Sequence, residues 1–373
     1  MRVPLADLAA QDAEVADEVL ASVASLARDA SFILGSRVEA FERWLAEFCG
    51  VDHAVGVASG SDALELVLRA LGVGPGDAVV TPAVSFIAAA EAIALVGARP
   101  VFCDVEAGTL NASARTVGEA LERARRAGWR VRAIVPVHLF GRCAPMRELR
   151  ELSTREGLAL IEDAAQAIGG RDESGMASGA SGDAGCFSFF PAKNLGAWGD
   201  GGAVVTSRGE LAAEVRTLRS HGTVEPYVHA RLGRNSRLDA LHAAVLLVKS
   251  RHLTRWQEAR RRLVDRYRAE LRSLPLILPT VPTMPAVHAW HAFVVRSSRR
   301  PMLIRWLHEQ GIDARAYYPL ALHRQPCFAH LAEPQLEVAE EVCRTAVALP
   351  IFPVMREDQQ AYVIEQVTSF FQR

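Results

Sequence analysis

Lysine is almost missing from this chain of 373 residues. Among 42 lysine and arginine side chains only Lys193 and Lys249 are lysine, so arginine stands nearly everywhere that a positive charge alone would serve. An ammonium can lose its proton and condense with a carbonyl, whereas a guanidinium stays charged and cannot. A lysine kept against that background points to its amine. Paired cysteine is missing as well: Cys49, Cys103, Cys143, Cys186, Cys327 and Cys343 are scattered without a C-x-x-C pair, which argues against a zinc site or a disulfide framework. No run approaches the ~20 apolar residues that span a bilayer. The opening MRVPLADLAAQDAEVADEV has no uninterrupted apolar stretch of the signal-peptide kind, so no membrane partner and a cytoplasmic location are expected. A formal net charge of -1 supplies no field for nucleic acid. The basic run 251–268 reads as the solvated face of a helix, and no helix-turn-helix signal accompanies it.

What is present is alternation. The chain opens with a helical pattern over 12–29, where Val15, Val19, Val23 and Leu26 recur along one face. A second helix follows, with Ser36 and Glu39 at capping-box spacing, a stripe of Val38, Phe41, Leu45 and Phe48, and Gly50 as its C-terminal cap. From residue 54 short apolar runs at 54–58, 78–81, 101–104, 132–137, 158–162, 185–190 and 203–206 read as strands. Helical patterns at 62–71, 85–96, 116–127 and 145–156 separate most of them. Such alternation predicts an α/β fold with a mostly parallel central sheet, helices on both faces, and ligands bound at the carboxyl ends of the strands.

Residues 238–274 read as one long helix, broken or unbroken, and the Pro-rich LPLILPTVPTMP follows it. A smaller C-terminal α+β domain is expected there, with a strand at 292–296, a helix from Pro301 to a Gly311 cap, a short strand at 312–317, and helices at 335–347 and 357–371. The division expected is 1–248 for a large domain with N-terminal helices and 249–373 for the smaller one. The stretch 169–185, GGRDESGMASGASGDAG, is flexible by composition.

Three stretches carry candidate chemistry. Val57-Ala58-Ser59-Gly60-Ser61-Asp62 turns from a strand straight into a helix, and amides at a helix start beside a hydroxyl make an anion site. Taken alone the stretch reads better as an ordinary capped helix, since Ser and Asp are the usual N-caps. LALIEDAAQAIGG carries Glu162, Asp163 and Gln166 to the end of a strand, where Asp163 is as well explained as a cap. FSFFPAKNLGAWGDGG then delivers Ser188 and Lys193 from another strand. An acid, an amide, a hydroxyl and an amine converging above neighbouring strands suit pyridoxal phosphate. That cofactor needs an amine to hold its aldehyde as an imine, a carboxylate to keep its ring nitrogen protonated, and donors for its phosphate.

The same residues resemble a family. ASGSDAL, TPAVSFIAAAEAI, VPVHLFG, EDAAQAIGG, CFSFFPAKNLGAWGDGGAVVT, LGRNSRLDALHAAVL, YYPLALHRQP and LPIFP are similar, in that order, to the motifs of the DegT/DnrJ/EryC1/StrS sugar aminotransferases. Those are pyridoxal-phosphate enzymes of the aspartate-aminotransferase fold (fold type I). The resemblance implies transfer of an amino group, from L-glutamate, to a nucleotide-linked keto-deoxysugar in polysaccharide or secondary-metabolite biosynthesis. It implies that Lys193 anchors the cofactor and shuttles the proton, that Asp163 pairs with the ring nitrogen, that Gln166 sits near the ring hydroxyl and that Phe86 stacks on the ring. Gly60, Ser61 and Ser188 would bind the phosphate, and Asn235 would reach it from the neighbouring subunit of a homodimer. His323 resembles a position at the sugar-nucleotide entrance, and a surface loop histidine is its alternative. Tyr318 and His221 carry weaker resemblances and are not assigned.

Three positions depart from the pattern: Ile168 where histidine is frequent, Ser61 where threonine is commoner, and Arg234 where an aromatic is frequent. Ser61 preserves the hydroxyl. Ile168 would remove a polar group near the cofactor, and Arg234 would meet the other subunit or a substrate phosphate. Two further readings compete with amino transfer: a sugar dehydratase of the same family, in which histidine commonly replaces the lysine, and a non-catalytic regulator that binds cofactor or sugar nucleotide. Lys193 argues against the first, and the set Lys193, Asp163 and Gln166 favours catalysis over the second.

Overall fold

A computed structural model describes residues 1–373. Seven strands build the main sheet: β1 (His53–Val57), β2 (Asp77–Pro82), β3 (Arg99–Cys103), β4 (Arg130–Ile134), β5 (Ala159–Asp163), β6 (Ala184–Ser188) and β7 (Gly202–Thr206). Their order is β1-β7-β6-β5-β4-β2-β3. Only β7 runs against its neighbours, and the other pairings are parallel. The expected α/β fold with a mostly parallel sheet is therefore the fold observed.

Nine helices accompany this part of the chain: α1 (Leu8–Ala13), α2 (Ala16–Asp29), α3 (Ser36–Cys49), α4 (Gly60–Ala70), α5 (Ala88–Leu95), α6 (Ala114–Arg126), α7 (Met146–Glu156), α8 (Gly209–Leu218) and α9 (Ala240–Ser250). The strands read as near-continuous apolar runs because successive residues are claimed by opposite faces. Val55, Val57, Val79, Ala133, Ile161, Cys186 and Val204 pack with Leu64, Ile93 and Val215 of α4, α5 and α8. Their neighbours Ala78, Val80, Ile134 and Leu160 pack under α6 and α7, and Ala54, Phe187, Ala203 and Val205 pack under α3 and α9.

Beyond the main sheet lie a small hairpin of β8 (Thr223–Glu225) and β9 (Val228–His229), the long α10 (Leu253–Leu271), β10 (Phe293–Arg296), α11 (Arg300–Glu309), α12 (Glu337–Thr345), β11 (Ala346–Leu349) and α13 (Glu357–Gln372). Strands β10 and β11 pair antiparallel. Helix α10 begins at Leu253 in the core beside α3 and α9, and ends with Val264, Tyr267 and Leu271 in a second core with Phe293, Leu303 and Val363. Val3 joins that second core, bridging to Ile312. Arg260, buried where the helix crosses over, donates from Nη1 to the carbonyls of Trp290 at 3.3 Å and Ile351 at 3.1 Å. Burial lowers its pKa to about 10.

Several local expectations are corrected. The 12–29 pattern is two helices, α1 and α2, and 238–274 is broken into α9 and α10. Ser36 makes no capping box: Gly35, at φ 77°, precedes the helix and no side chain caps it. Residues 312–317 form only single bridges, Ile312 to Val3 and Arg315 to Ala348. The 335–347 helix ends at Thr345 because Ala346–Leu349 leaves it to pair with β10. Helix α8 and the β8–β9 hairpin had no reading in the sequence.

The stretch 169–185 is not the flexible segment its composition implied. Glu162, wholly buried, gathers it from below. Its Oε1 accepts from the N–H groups of Ser181 and Gly182, both at 2.7 Å, and its Oε2 accepts from Gly179 N–H at 2.9 Å and from His138 Nε2 at 2.7 Å. The His138 Nδ1 accepts from Ala144 N–H at 3.1 Å, so the Nε2 carries the proton. Ser181 Oγ adds a 2.6 Å bond to Asp172. Small residues here allow close approach instead of freedom. A Cβ on Gly185 would stand 2.3 Å from Gly179 Cα and 2.4 Å from its carbonyl oxygen, backbone against backbone.

This contact yields a paired prediction. Gly185→Ala should destabilise the protein by roughly 3 kcal/mol or more, at the upper end of overpacking costs. Gly118→Ala, in the interior of α6 with nothing near the new methyl, should stabilise it by about 0.5 to 1 kcal/mol. Urea denaturation midpoints check both, and a neutral Gly185→Ala would mean that this contact does not constrain the fold.

Candidate active site

The carboxyl ends of β1, β2, β4, β5 and β6 meet at one edge of the sheet, and a cavity of about 470 Å³ opens there. Ser59, Gly60 and Ser61 enter it after β1, Ser85 and Phe86 after β2, Val137 after β4, Asp163, Ala165 and Gln166 from β5, and Ser188 and Lys193 from β6. His291, Tyr317 and Tyr318 close it from the later part of the chain. Lys193, Asp163, Gly60, Ser61, Phe86, Gln166 and Ser188 are thus brought together. Asn235 and His323 are not among the residues lining this cavity.

Strand alternation separates the two neighbouring carboxylates. Glu162 shares the face of Leu160 and turns to the glycine-rich stretch below, while Asp163 shares the face of Ile161 and reaches the cavity. Asp163 Oδ1 accepts from Ala165 N–H at 3.1 Å, and its Oδ2 has no partner in the chain. Burial raises the Asp163 pKa, against the opposing pull of the Ala165 N–H and the charges of Lys193 and His138. Lys193 keeps part of its surface open to the cavity, yet its surroundings desolvate the amine. That lowers its pKa to about 8, with Asp163 pulling the other way.

At the other end, Ser59 caps α4 through a 3.0 Å bond from Asp62 N–H to its Oγ. The N–H groups of Gly60 and Ser61 remain without an acceptor, beside the hydroxyls of Ser61 and Ser188. Gly60 is needed for contact: a Cβ there would lie 2.7 Å from Ser188 Cβ. Gln166 is fixed at both ends, its Oε1 accepting from Phe140 N–H at 2.7 Å and its Nε2 donating to Tyr318 Oη at 3.0 Å. Phe86 lines the cavity with 55% of its surface exposed, its ring tilted beside that of Tyr318 with centroids 6.5 Å apart.

These features fit the aldehyde cofactor. A free carboxylate oxygen suits a protonated ring nitrogen, unpaired amides and hydroxyls at a helix start suit a phosphate, an uncovered aromatic suits a flat ring, and a partly deprotonated amine suits an aldehyde.

The remaining expectations are relocated. His323 is neither at the cavity nor on the surface. It is buried on the turn Leu322–Arg324, with Nε2 held 3.0 Å from Glu340 and its ring near Phe102. Ile168 packs in the core with Ala164, Ala177 and Leu253 and does not line the cavity, so its departure removes no polar group from it. Arg234 pairs within its own chain, with Glu65 and, at 3.5 Å, with Asp62 of α4. Asn235 is exposed on the segment between Arg234 and Ser236, whose Oγ donates to Asp62 at 2.5 Å. Tyr318, left unassigned from sequence, orients Gln166, and His291 had no reading at all. The motif YYPLALHRQP could have flagged the tyrosine, whereas HAWHAF looks only like the start of a strand.

The description of the DegT/DnrJ/EryC1/StrS aminotransferase family matches residues 13–368. A UDP-N-acetyl-3-dehydro-alpha-D-glucosamine 3-aminotransferase of Acidithiobacillus ferrooxidans is 44% identical, over 97% of this chain and 96% of its own length. A pleiotropic regulatory protein of Geobacillus stearothermophilus is 41% identical over 100% of this chain and 99% of its own. Among solved structures, S. venezuelae DesV in complex with a ketimine intermediate superposes with a TM-score of 0.95 at 41% identity, covering 100% of this chain and 99% of that one.

The Lys193 environment predicts its reactivity. In cofactor-free protein, capture of a small neutral aldehyde at Lys193, trapped by borohydride and counted by mass spectrometry, should rise with pH through a midpoint near 8. A midpoint near the ordinary lysine value of 10.5 would mean that burial does not tune this amine.

Proposed function

Because the chain belongs to the DegT/DnrJ/EryC1/StrS aminotransferase family, we propose that it moves an amino group from L-glutamate to the ketone of a nucleotide-linked 3-keto sugar. The reading is carried by one arrangement: an amine and a buried carboxylate in one cavity, with a phosphate-sized set of donors at its edge. The position of the ketone follows the name of the A. ferrooxidans relative. Residues 1–248 are proposed as the cofactor-binding part and 249–373 as the smaller domain. No helix is long and apolar enough to cross a membrane, and a cytoplasmic location belongs to the same proposal.

The family depends on pyridoxal phosphate, which when bound supplies an aldehyde for amines and a ring that takes up the electron pair left when the adjacent carbon loses its proton. The residues would act as follows. Gly60 and Ser61, with the Ser188 hydroxyl, hold the phosphate, and Phe86 covers one ring face. Asp163 Oδ2 keeps the proton on the ring nitrogen, helped by burial that excludes water and strengthens the pairing. Gln166, its Nε2 already directed by Tyr318, orients the ring hydroxyl. Lys193 Nζ would hold the aldehyde and, when free of it, would take the proton from the donor's alpha carbon. A pKa near 8 keeps a usable fraction of that amine uncharged at neutral pH. In the second half of the reaction the same amine would deliver a proton to the sugar carbon.

Asn235 is proposed to complete the site of a second copy. Exposed apolar side chains support association: Tyr227 and Leu232 are 96% and 93% exposed on and beside the β8–β9 hairpin, and Phe32, Ile33, Phe190 and Trp198 are also uncovered.

Lys193→Ala should give no glutamate-dependent change in cofactor absorbance and no amino-sugar product, and normal turnover by that variant would remove the mechanism. Loss of the base role alone costs ~10² to 10⁴ in rate. A wild-type spectrum indifferent to every amino donor would favour a regulatory role, as the name of the G. stearothermophilus relative indicates for that protein. The shared site has its own test by mixing subunits. Lys193→Ala and Asn235→Ala proteins, each inactive, should recover about a quarter of wild-type activity when unfolded together and refolded, since half of the dimers would hold one intact site. No recovery would place Asn235 outside the partner's chemistry.

A further inference from the structure

Lys193 and His291 line the same cavity, and each carries a nitrogen without a partner in the chain. The His291 Nδ1 lies 3.3 Å from Asn194 Oδ1. Asn194, the residue after the lysine, is buried, and its Nδ2 donates to Ala289 O at 2.7 Å. That bond turns the Oδ1 toward the ring, so the Nδ1 is the nitrogen that carries the proton. Burial, then the charges of Lys193 and Arg260, hold the imidazole well below its ordinary pKa. The ring is therefore neutral, with its Nε2 lone pair free. Nε2 is not sealed in protein and keeps its access to the cavity.

The backbone fixes this nitrogen as firmly as the side chain does. His291 N–H donates to Phe140 O at 2.9 Å, and Phe140 N–H donates to Gln166. Gly141, at φ 99°, lets the two segments touch, since a Cβ there would stand 2.9 Å from the backbone nitrogens of Trp290 and His291. One turn thus sets the position of Gln166 and of the imidazole together.

We propose that His291 is a positioning residue for Lys193: its Nε2 accepts a hydrogen bond from the lysine ammonium whenever that amine is free of the cofactor. This rests on the assignment of Lys193 as anchor and proton carrier. A detached lysine has a long, mobile stem, and its proton transfers require it to stay over the reacting carbon. The other titratable groups of the cavity are less suited to hold it. Asp163 is committed to the ring nitrogen, Asp200 is exposed, Tyr318 Oη already accepts from Gln166, and Tyr317 is an un-ionised phenol whose pKa burial raises further. A neutral acceptor also holds the ammonium without the large pKa rise that a second carboxylate would cause.

The scarcity of lysine makes the test direct. Protein grown with ε-13C-lysine gives two side-chain signals, and Lys249→Arg assigns them. With the holoenzyme in the amine form of its cofactor, in which Lys193 is free, the pKa of Lys193 is read from its carbon shift. Four proteins are compared: wild type, His291→Gln, His291→Asn and His291→Phe. Gln can offer an oxygen near the Nε2 position, whereas Asn keeps only the contact at the Nδ1 position. The wild-type and Gln proteins should agree, and Asn and Phe should fall about one pH unit lower, the effect of one hydrogen bond from a charged donor. Equal values in all four, recovery by Asn in place of Gln, or any other ranking overturns the proposal. Should His291→Phe fail to fold, the Gln and Asn variants decide alone. Cofactor loading, followed by absorbance in the same samples, tests the anchor separately: loaded variants with an unmoved Lys193 pKa refute the role of His291 and leave Lys193 as anchor.

Discussion

Two carboxylates stand next to each other on β5, and the pleat of a single strand gives them opposite fates. Glu162 goes to the side where four donors wait for it, three backbone amides and one imidazole. Asp163 goes to the side where only one amide meets it, leaving an oxygen for a ligand. A fully satisfied buried carboxylate is a structural anchor, and a partly satisfied one holds binding capacity in reserve. Much else follows from this division. The anchored carboxylate fixes the glycine-rich stretch against β6, β6 in turn sets the height of Ser188 and Lys193, and the unsatisfied carboxylate faces them across the cavity.

The electrostatics of the cavity follow from its depth. Desolvation raises the acid and lowers the amine, while each charge opposes the shift of the other. Neither group is held as strongly in its charged form as a surface ion pair would hold it. That suits a proton carrier, whose two states must lie close in free energy near the working pH. The aromatic and neutral groups around the pair, Phe86, Tyr318 and His291, add shape and hydrogen bonds without adding charge.

The sheet was legible because a parallel strand buried on both faces leaves a short apolar run between polar punctuation, and such runs survive in sequence whatever packs on them. That Lys193, Asp163, Gln166, Gly60, Ser61, Ser188 and Phe86 come to one cavity was legible for a related reason: each sits at or just past the carboxyl end of a strand, so the topology alone carries it to one edge. Residues on irregular backbone were not legible. His323 turns inward on a short helical turn, Ile168 takes the core side of the turn after β5, and Arg234 finds acids on α4 that are far away in sequence. Composition also misread the small residues of 169–185. Glycine and serine there reflect the room available beside Glu162 and Phe187, which depends on what packs from elsewhere.

Lys249 deserves comparison with Lys193, because the two divide the chain's side-chain amines between them. Lys249 is buried and its amine is taken up by a 2.6 Å bond to Asp12. Every cationic side chain on the outer surface is therefore a guanidinium, apart from any protonated histidine. An aldehyde drifting over this molecule meets no competing side-chain amine before it reaches the cavity. Selectivity of capture is then written partly in composition: the protein need not outbid its own surface side chains for a reactive cofactor, because none of them carries an amine that condenses with it.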